Sequence, residues 1–190
     1  MRARKSSQST GLTKYEFAPK AYARSMSSWI TEDDMTTTAN ETGIPTQLGH
    51  VALRVHDVDR SIEFYTDVVG LKLKNRMRGV AFLGIREDAS HEVALFPLPP
   101  EAEGPDKTRV GLYHFAWEMP SFEALEKLHD RLIEKNVRIG GYSPASNSTN
   151  VMFFDPDGNE MEAIWEPSEE TLATAEKTGV PIPRLNQVIA

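Results

Sequence analysis

The chain contains no cysteine. Disulfides, thiolate-held zinc and a thiol nucleophile are therefore excluded, and any metal must be held by His, Asp and Glu. Positive charge is also scarce, with 21 Lys and Arg against 28 Asp and Glu and a formal net charge of −7. A deficit of that sign, with no basic run in the core, disfavours a polyanion such as nucleic acid as partner. No apolar stretch approaches the ~20 residues of a membrane helix. The opening segment lacks the apolar centre of a secretory signal. These absences predict a cytoplasmic protein without nucleic-acid or membrane partners. At 190 residues, the length prior gives one domain with a full core.

Residues 1–46 are set apart as an N-terminal arm. Their first part, MRARKSSQSTGLTKYEFAPKAYARSMSSWI, is rich in Lys, Arg and Ser, and has no sustained apolar period. That composition suits a disordered arm, or sequence upstream of a later start at Met26 or Met35, with an organellar presequence as the other reading.

From Leu48 the pattern becomes regular. In LGHVALRV, residues 48–55, Val51, Leu53 and Val55 alternate with His50, Ala52 and Arg54, which predicts a strand. DVDRSIEFYTDVVG then reads as a helix capped by Asp57 or Asp59, with Ile62, Tyr65 and Val69 on one face beside Phe64 and Val68, and Gly70 ending it. Strands are expected near 71–77, 80–86 and 91–97. The same order then repeats. LYHFAWEM predicts a strand, and PSFEALEKLHDRLIEKN a helix capped by Ser121 with Phe122, Leu125, Leu128 and Leu132 as its core stripe. Strands are expected near 137–142, 149–154 and 160–165, with DPDG as the last turn. Residues 167–190 form a C-terminal arm with a short helix near 168–178.

The expected fold is α+β, two tandem βαβββ modules (48–98 and 111–166) forming a cup-shaped sheet around one metal site. Both modules lead with His-φ-Ala-φ-charge-φ, where φ is apolar: His50 to Val55 and His114 to Met119. Packing of a duplicated module on its copy would turn the two imidazoles toward one cavity. The last strand offers Glu162, with Glu160 and Glu166 on the same face as competitors. Two imidazoles and one carboxylate make a facial triad that leaves positions open on non-haem Fe(II).

Together, LGHVALRVHDVDRSIEFYTDVVGLKL, YHFAWEM and FFDPDGNEMEAIW resemble the vicinal oxygen chelate superfamily of glyoxalases, fosfomycin and bleomycin resistance proteins and extradiol catechol dioxygenases. The resemblance spans residues 47–166. It implies metal ligation by His50, His114 and Glu162, and a homodimer or higher homo-oligomer. Glyoxalase-type members add a carboxylate on the fourth strand. Here the inward register is expected to hold His91 with Val93 and Leu95, giving three ligands unless Glu92 turns inward. His91 also stands in an HxxAL pattern like that of extradiol dioxygenases, whose histidine is an acid/base, so His91 is the expected catalytic residue. The chain departs from those enzymes at Ala145 and Met152, where a His and a Tyr resembling HxxSxSxYFxDPDGN are usual.

The resulting expectation is an Fe(II)-dependent extradiol ring-cleaving dioxygenase acting on a catechol-type substrate with two adjacent oxygens, and on dioxygen. The alternatives are a glyoxalase- or epimerase-like isomerase or lyase using Mn, Ni, Zn or Co, and a non-catalytic binder of small ligands. His56 and His129 read as structural or surface residues. Arg54 and Glu118, equivalent in the two modules, read as an ion pair or as solvated strand ends.

Overall fold

A computed structural model describes the chain at residue 45 and over residues 47–143 and 147–187; the rest of the N-terminal arm and Ala145 lie outside the described residues. Leu48–Ala190 form one compact unit. Module one runs β1 (Val51–Val55), α1 (Val58–Phe64), a π-helical turn (Tyr65–Val69), β2 (Lys72–Met77), β3 (Val80–Gly84) and β4 (Val93–Pro97). Module two runs β5 (Phe115–Glu118), α2 (Phe122–Glu134), β6 (Ile139–Gly141), β7 (Thr149–Phe154) and β8 (Glu160–Trp165), and α3 (Glu169–Thr178) follows. Two mixed four-stranded sheets result, ordered β1-β4-β3-β2 and β5-β8-β7-β6. The α+β fold of two βαβββ modules is as the sequence predicts.

Local chemistry sets the boundaries. Asp57 caps α1 by accepting the Arg60 N–H at 3.0 Å, and Ser121 caps α2 by accepting the Ala124 N–H at 3.2 Å. Gly70 closes the π turn at φ 94°, a left-handed conformation that costs any residue with a Cβ. The first helix differs from expectation in its buried face, which is Val58, Ser61, Tyr65 and Val68, whereas Ile62, Phe64 and Val69 are only partly buried. Ser61 tolerates full burial because its hydroxyl donates to the Asp57 carbonyl at 2.8 Å, so hydropathy alone misplaces the stripe by one residue.

A single core fills the space between the sheets and helices. Leu53, Val55, Ala81, Leu83, Val93 and Leu95 from module one meet Leu125, Leu128, Leu132, Val151, Phe153 and Met161 from module two. Alternation then fixes the opposite sheet faces. The pairing Ala52↔Ala94 and Phe82↔Ala94 aligns Ala52, Phe82 and Ala94 on module one's outer face. The expected register at β4 is corrected accordingly: Val93 and Leu95, both 0% exposed, belong to the core, and the opposite face carries Ala94 and Phe96.

Polar ties join the modules. The buried Tyr65 hydroxyl donates to Asp155 Oδ2 at 3.1 Å, and Arg131 Nε donates to the Val68 carbonyl at 2.8 Å. His56 Nδ1 lies 2.6 Å from Asp157 Oδ1, and its Nε2 lies 2.7 Å from the Ala102 carbonyl. Both partners are acceptors, so both ring nitrogens must carry protons, and the two bonds raise the His56 pKa above 6.5. DPDG is thus a clasp as well as a turn. Beyond α3 the chain returns to module two, burying Ile182 and Leu185, while Thr149 Oγ1 donates to the Pro183 carbonyl at 2.8 Å.

Candidate metal centre

His114 immediately precedes β5, and Glu162 is the third residue of β8. The two strands are parallel with Ala116 opposite Glu162, so alternation puts His114, Ala116 and Glu162 on one face. His114 Nε2 stands 3.2 Å from Glu162 Oε2, with side-chain exposures of 25% and 12%. Two donors bound at right angles to one metal at ~2.1 Å would lie about 3.0 Å apart. The observed spacing fits such a pincer. The other Glu162 oxygen accepts the Asn150 amide at 2.6 Å, and Asn150 in turn accepts the Ser143 N–H at 2.7 Å. Among the described residues His114 Nδ1 is buried without a partner.

The competing carboxylates have other surroundings. Glu160 Oε2 is paired with Lys107 Nζ at 2.6 Å, and Glu166 is exposed.

His50, immediately before β1, is exposed. Its ring centroid lies 4.5 Å from that of His91, which is edge-on to Phe82 at 5.0 Å. His91 reaches this face despite its odd number because β4 begins only at Val93, and strict alternation does not extend into the preceding irregular segment. Burial lowers the His91 pKa below its ordinary 6.5, His50 lowers it further, and Glu92 opposes both. Glu92 itself accepts Arg86 Nε at 2.6 Å and the Ile85 N–H at 2.8 Å. It lies over Gly84, where a Cβ would collide with its Oε2. Burial works against ionisation of Glu92, but these donors outweigh it and hold its pKa below the usual value.

The candidate residues therefore assemble as two half-sites, His50 with His91 on module one and His114 with Glu162 on module two. Among the described residues, no three His, Asp or Glu side chains converge at metal-binding spacing within one chain.

The model of the Glyoxalase/Bleomycin resistance protein/Dioxygenase superfamily matches residues 47–163. The chain belongs to this superfamily. It is 30% identical over 118 residues to a catechol-2,3-dioxygenase of Bacillus subtilis (strain 168), covering 62% of this chain and 40% of that protein. It thus spans less than half the length of that relative. It is 31% identical over 135 residues to a lactoylglutathione lyase of Escherichia coli O157:H7, covering 63% of this chain and 93% of the lyase. A glyoxylase/bleomycin resistance protein/dioxygenase domain from Frankia sp. EAN1pec shares the fold at TM-score 0.59 and 23% identity, covering 66% of this chain and 96% of that one.

Within this superfamily domain, the two modules differ at one telling place. Ala52 pairs with Ala94 as Ala116 pairs with Glu162, so Ala94 is the module-one counterpart of Glu162. Met152 sits directly across from Glu162. His129, 3% exposed, bonds the Tyr142 hydroxyl at 2.8 Å, the structural role expected of it. Arg54 and Glu118 are both exposed strand residues. Sequence reasoning had no argument for Asn150, whose signal is visible only once β7 and β8 are in register. A cleft of about 1000 Å³ runs past Arg54, Phe96, Lys107, Tyr113 and Glu160. It skirts the pincer without including His50, His114 or Glu162, so volume alone does not locate the donors. Among the described residues no helix is long and apolar enough to cross a membrane.

Proposed function

We propose that this superfamily member is an Fe(II)-dependent extradiol dioxygenase acting on a catechol-type diol, with His50, His114 and Glu162 as metal ligands. The observation that carries this reading is Ala94 at the place equivalent to Glu162, with neighbouring Glu92 engaged by Arg86. That leaves two histidines and one carboxylate, the donor set of non-haem ferrous oxygenases, in place of a four-ligand site. The 3.2 Å pincer of His114 Nε2 and Glu162 Oε2 fits a cation held from module two.

The triad is completed by a second copy. An isologous two-fold contact that sets His50 of one copy against His114 and Glu162 of the other makes two equal sites per dimer. Apolar surface stands ready beside both half-sites, with Leu48 78% exposed next to His50 and Leu112 and Tyr113 67% and 69% exposed next to His114.

Ferrous iron would supply Lewis acidity toward a chelating diol and activate dioxygen. The protein orients the diol and moves its proton. His91 Nδ1 lies 2.9 Å from Ser90 Oγ, and with its ring against that of His50 His91 is the proposed acid/base.

Anaerobically purified protein should contain iron and consume oxygen with a catechol, giving a yellow ring-fission product. Glu162→Ala should lose both metal and activity, whereas Glu160→Gln should keep the metal. Full iron occupancy in Glu162→Ala would sink the ligand assignment. The second reading, a metal-dependent isomerase using Ni, Zn, Co or Mn, is favoured by the 93% coverage of the lyase. It predicts bound metal without oxygen uptake.

A further inference from the structure

We infer that Asn150 is a positioning residue that fixes which oxygen of Glu162 is offered to a metal; this rests on the proposed ligand role of Glu162. Asn150 is 4% exposed, and a carboxamide so buried is costly unless its groups are bonded. Its orientation is determined by chemistry. The Ser143 backbone N–H can only donate, so the oxygen it meets at 2.7 Å is Asn150 Oδ1, and Nδ2 is turned the other way. Nδ2 then donates to Glu162 Oε1 at 2.6 Å, a short bond to a charged acceptor.

Two consequences follow for the carboxylate. Oε1 is committed to the amide, which leaves Oε2, the atom 3.2 Å from His114 Nε2, as the oxygen available for a cation. Glu162 is also 9% exposed, and its rotamer is held at two points, backbone and Oε1, before any metal arrives. Asn150 therefore selects single-oxygen ligation and removes the ordering cost that a free side chain would present on binding.

The anchoring continues outward. Asn150 follows Ser148 and Thr149, both tied to the C-terminal arm, through the Arg184 guanidinium on the Ser148 carbonyl and through Thr149 to Pro183. The strand end that carries the amide is thereby tied to the C-terminal arm at two consecutive residues.

The test is titration of metal-stripped, full-length protein with cobalt(II) under anaerobic conditions, followed by visible absorption. Asn150→Asp keeps the size and the acceptor for Ser143 N–H and, titrated at a pH where both carboxyl groups are ionised, has no donor for Glu162. Asn150→Leu removes both bonds. Each is expected to weaken cobalt binding by about 10- to 100-fold, the range for loss of such an outer partner, and to change the cobalt spectrum. If Asn150 only holds the Ser143 loop, Asn150→Asp will bind cobalt as tightly as the parent with the same spectrum, and the inference is overturned. Should Leu unfold the protein, Asp alone carries the decision. Glu162→Ala separates the two levels. Cobalt binding untouched by Glu162→Ala removes the ligand assignment and the role of Asn150 with it, whereas a loss in Glu162→Ala without one in Asn150→Asp removes the Asn150 role alone.

Discussion

Tyr65→Phe deletes one oxygen from the inter-module tie and changes little else. Tyr65 is 0% exposed, and its hydroxyl donates to Asp155 Oδ2. Asp155 also accepts the N–H groups of Asp157 and Asn159 at 2.9 and 2.8 Å and the Asn159 amide at 2.8 Å. A hydrogen bond to a charged group contributes about 1.5–3 kcal/mol net, and with three donors remaining the lower end applies, about 1.5 kcal/mol. For a domain of this size that lowers the melting temperature by about 3–6 °C. The loss should depend on pH. Burial raises the Asp155 pKa above its ordinary 3.8, and the Tyr65 bond is among those that oppose the rise. An acid whose folded pKa lies above its unfolded value binds protons more readily when folded, so stability falls as pH climbs through that range. Removing the Tyr65 bond raises the folded pKa further and steepens the fall. The deficit of Tyr65→Phe is therefore largest near neutrality and shrinks as pH drops below the folded pKa. Urea unfolding of both proteins from pH 4 to 8 measures this, and a deficit that is absent, or constant with pH, refutes the reasoning.

Three further outcomes are expected. His56, whose folded pKa is raised by the Ala102 carbonyl first and Asp157 second, contributes stability that is complete below about 6.5 and lost as pH rises through the folded pKa. The urea midpoint should therefore fall more steeply with pH above 6.5 in the parent than in His56→Gln, and parallel curves would dismiss the imidazolium clasp. Leu128→Ala, at a 1% exposed position of the core, should cost about 2–5 kcal/mol in the same assay. Gly70→Ala, at φ 94°, should cost about 1–2 kcal/mol, and a neutral result would mean that the turn relaxes.

Much of this was legible in residue order. Alternation in LGHVALRV and FFDPDGNEMEAIW marks strands whose odd positions enter the core, and the leucine spacing of α2 marks its buried face. What escaped has identifiable causes. Ser61 replaces Ile62 in the core because a hydroxyl satisfied by its own helix carries no polar penalty. His91 joins the face of His50 because alternation fails outside a strand. The DPDG segment supplies Asp155 and Asp157 as acceptors for residues some ninety to a hundred positions earlier, a partnership without local signal. The equivalence of His50 and His114 was plain from the repeat, whereas the pairing of His50 with His91 and of His114 with Glu162 depends on side-chain placement that no periodicity encodes.

The position of Ala94 has a genetic consequence. Alanine and glutamate codons can differ by a single base, and Ala94 occupies in module one the place that Glu162 holds in module two. On the proposed ligand assignment, the duplicated scaffold lies one substitution, Ala94→Glu, from a symmetric four-donor set, provided that Phe82, its neighbour across the strand, gives way. On that assignment, a change between three and four donors would require no new fold and no rearranged loop, only one substitution in β4.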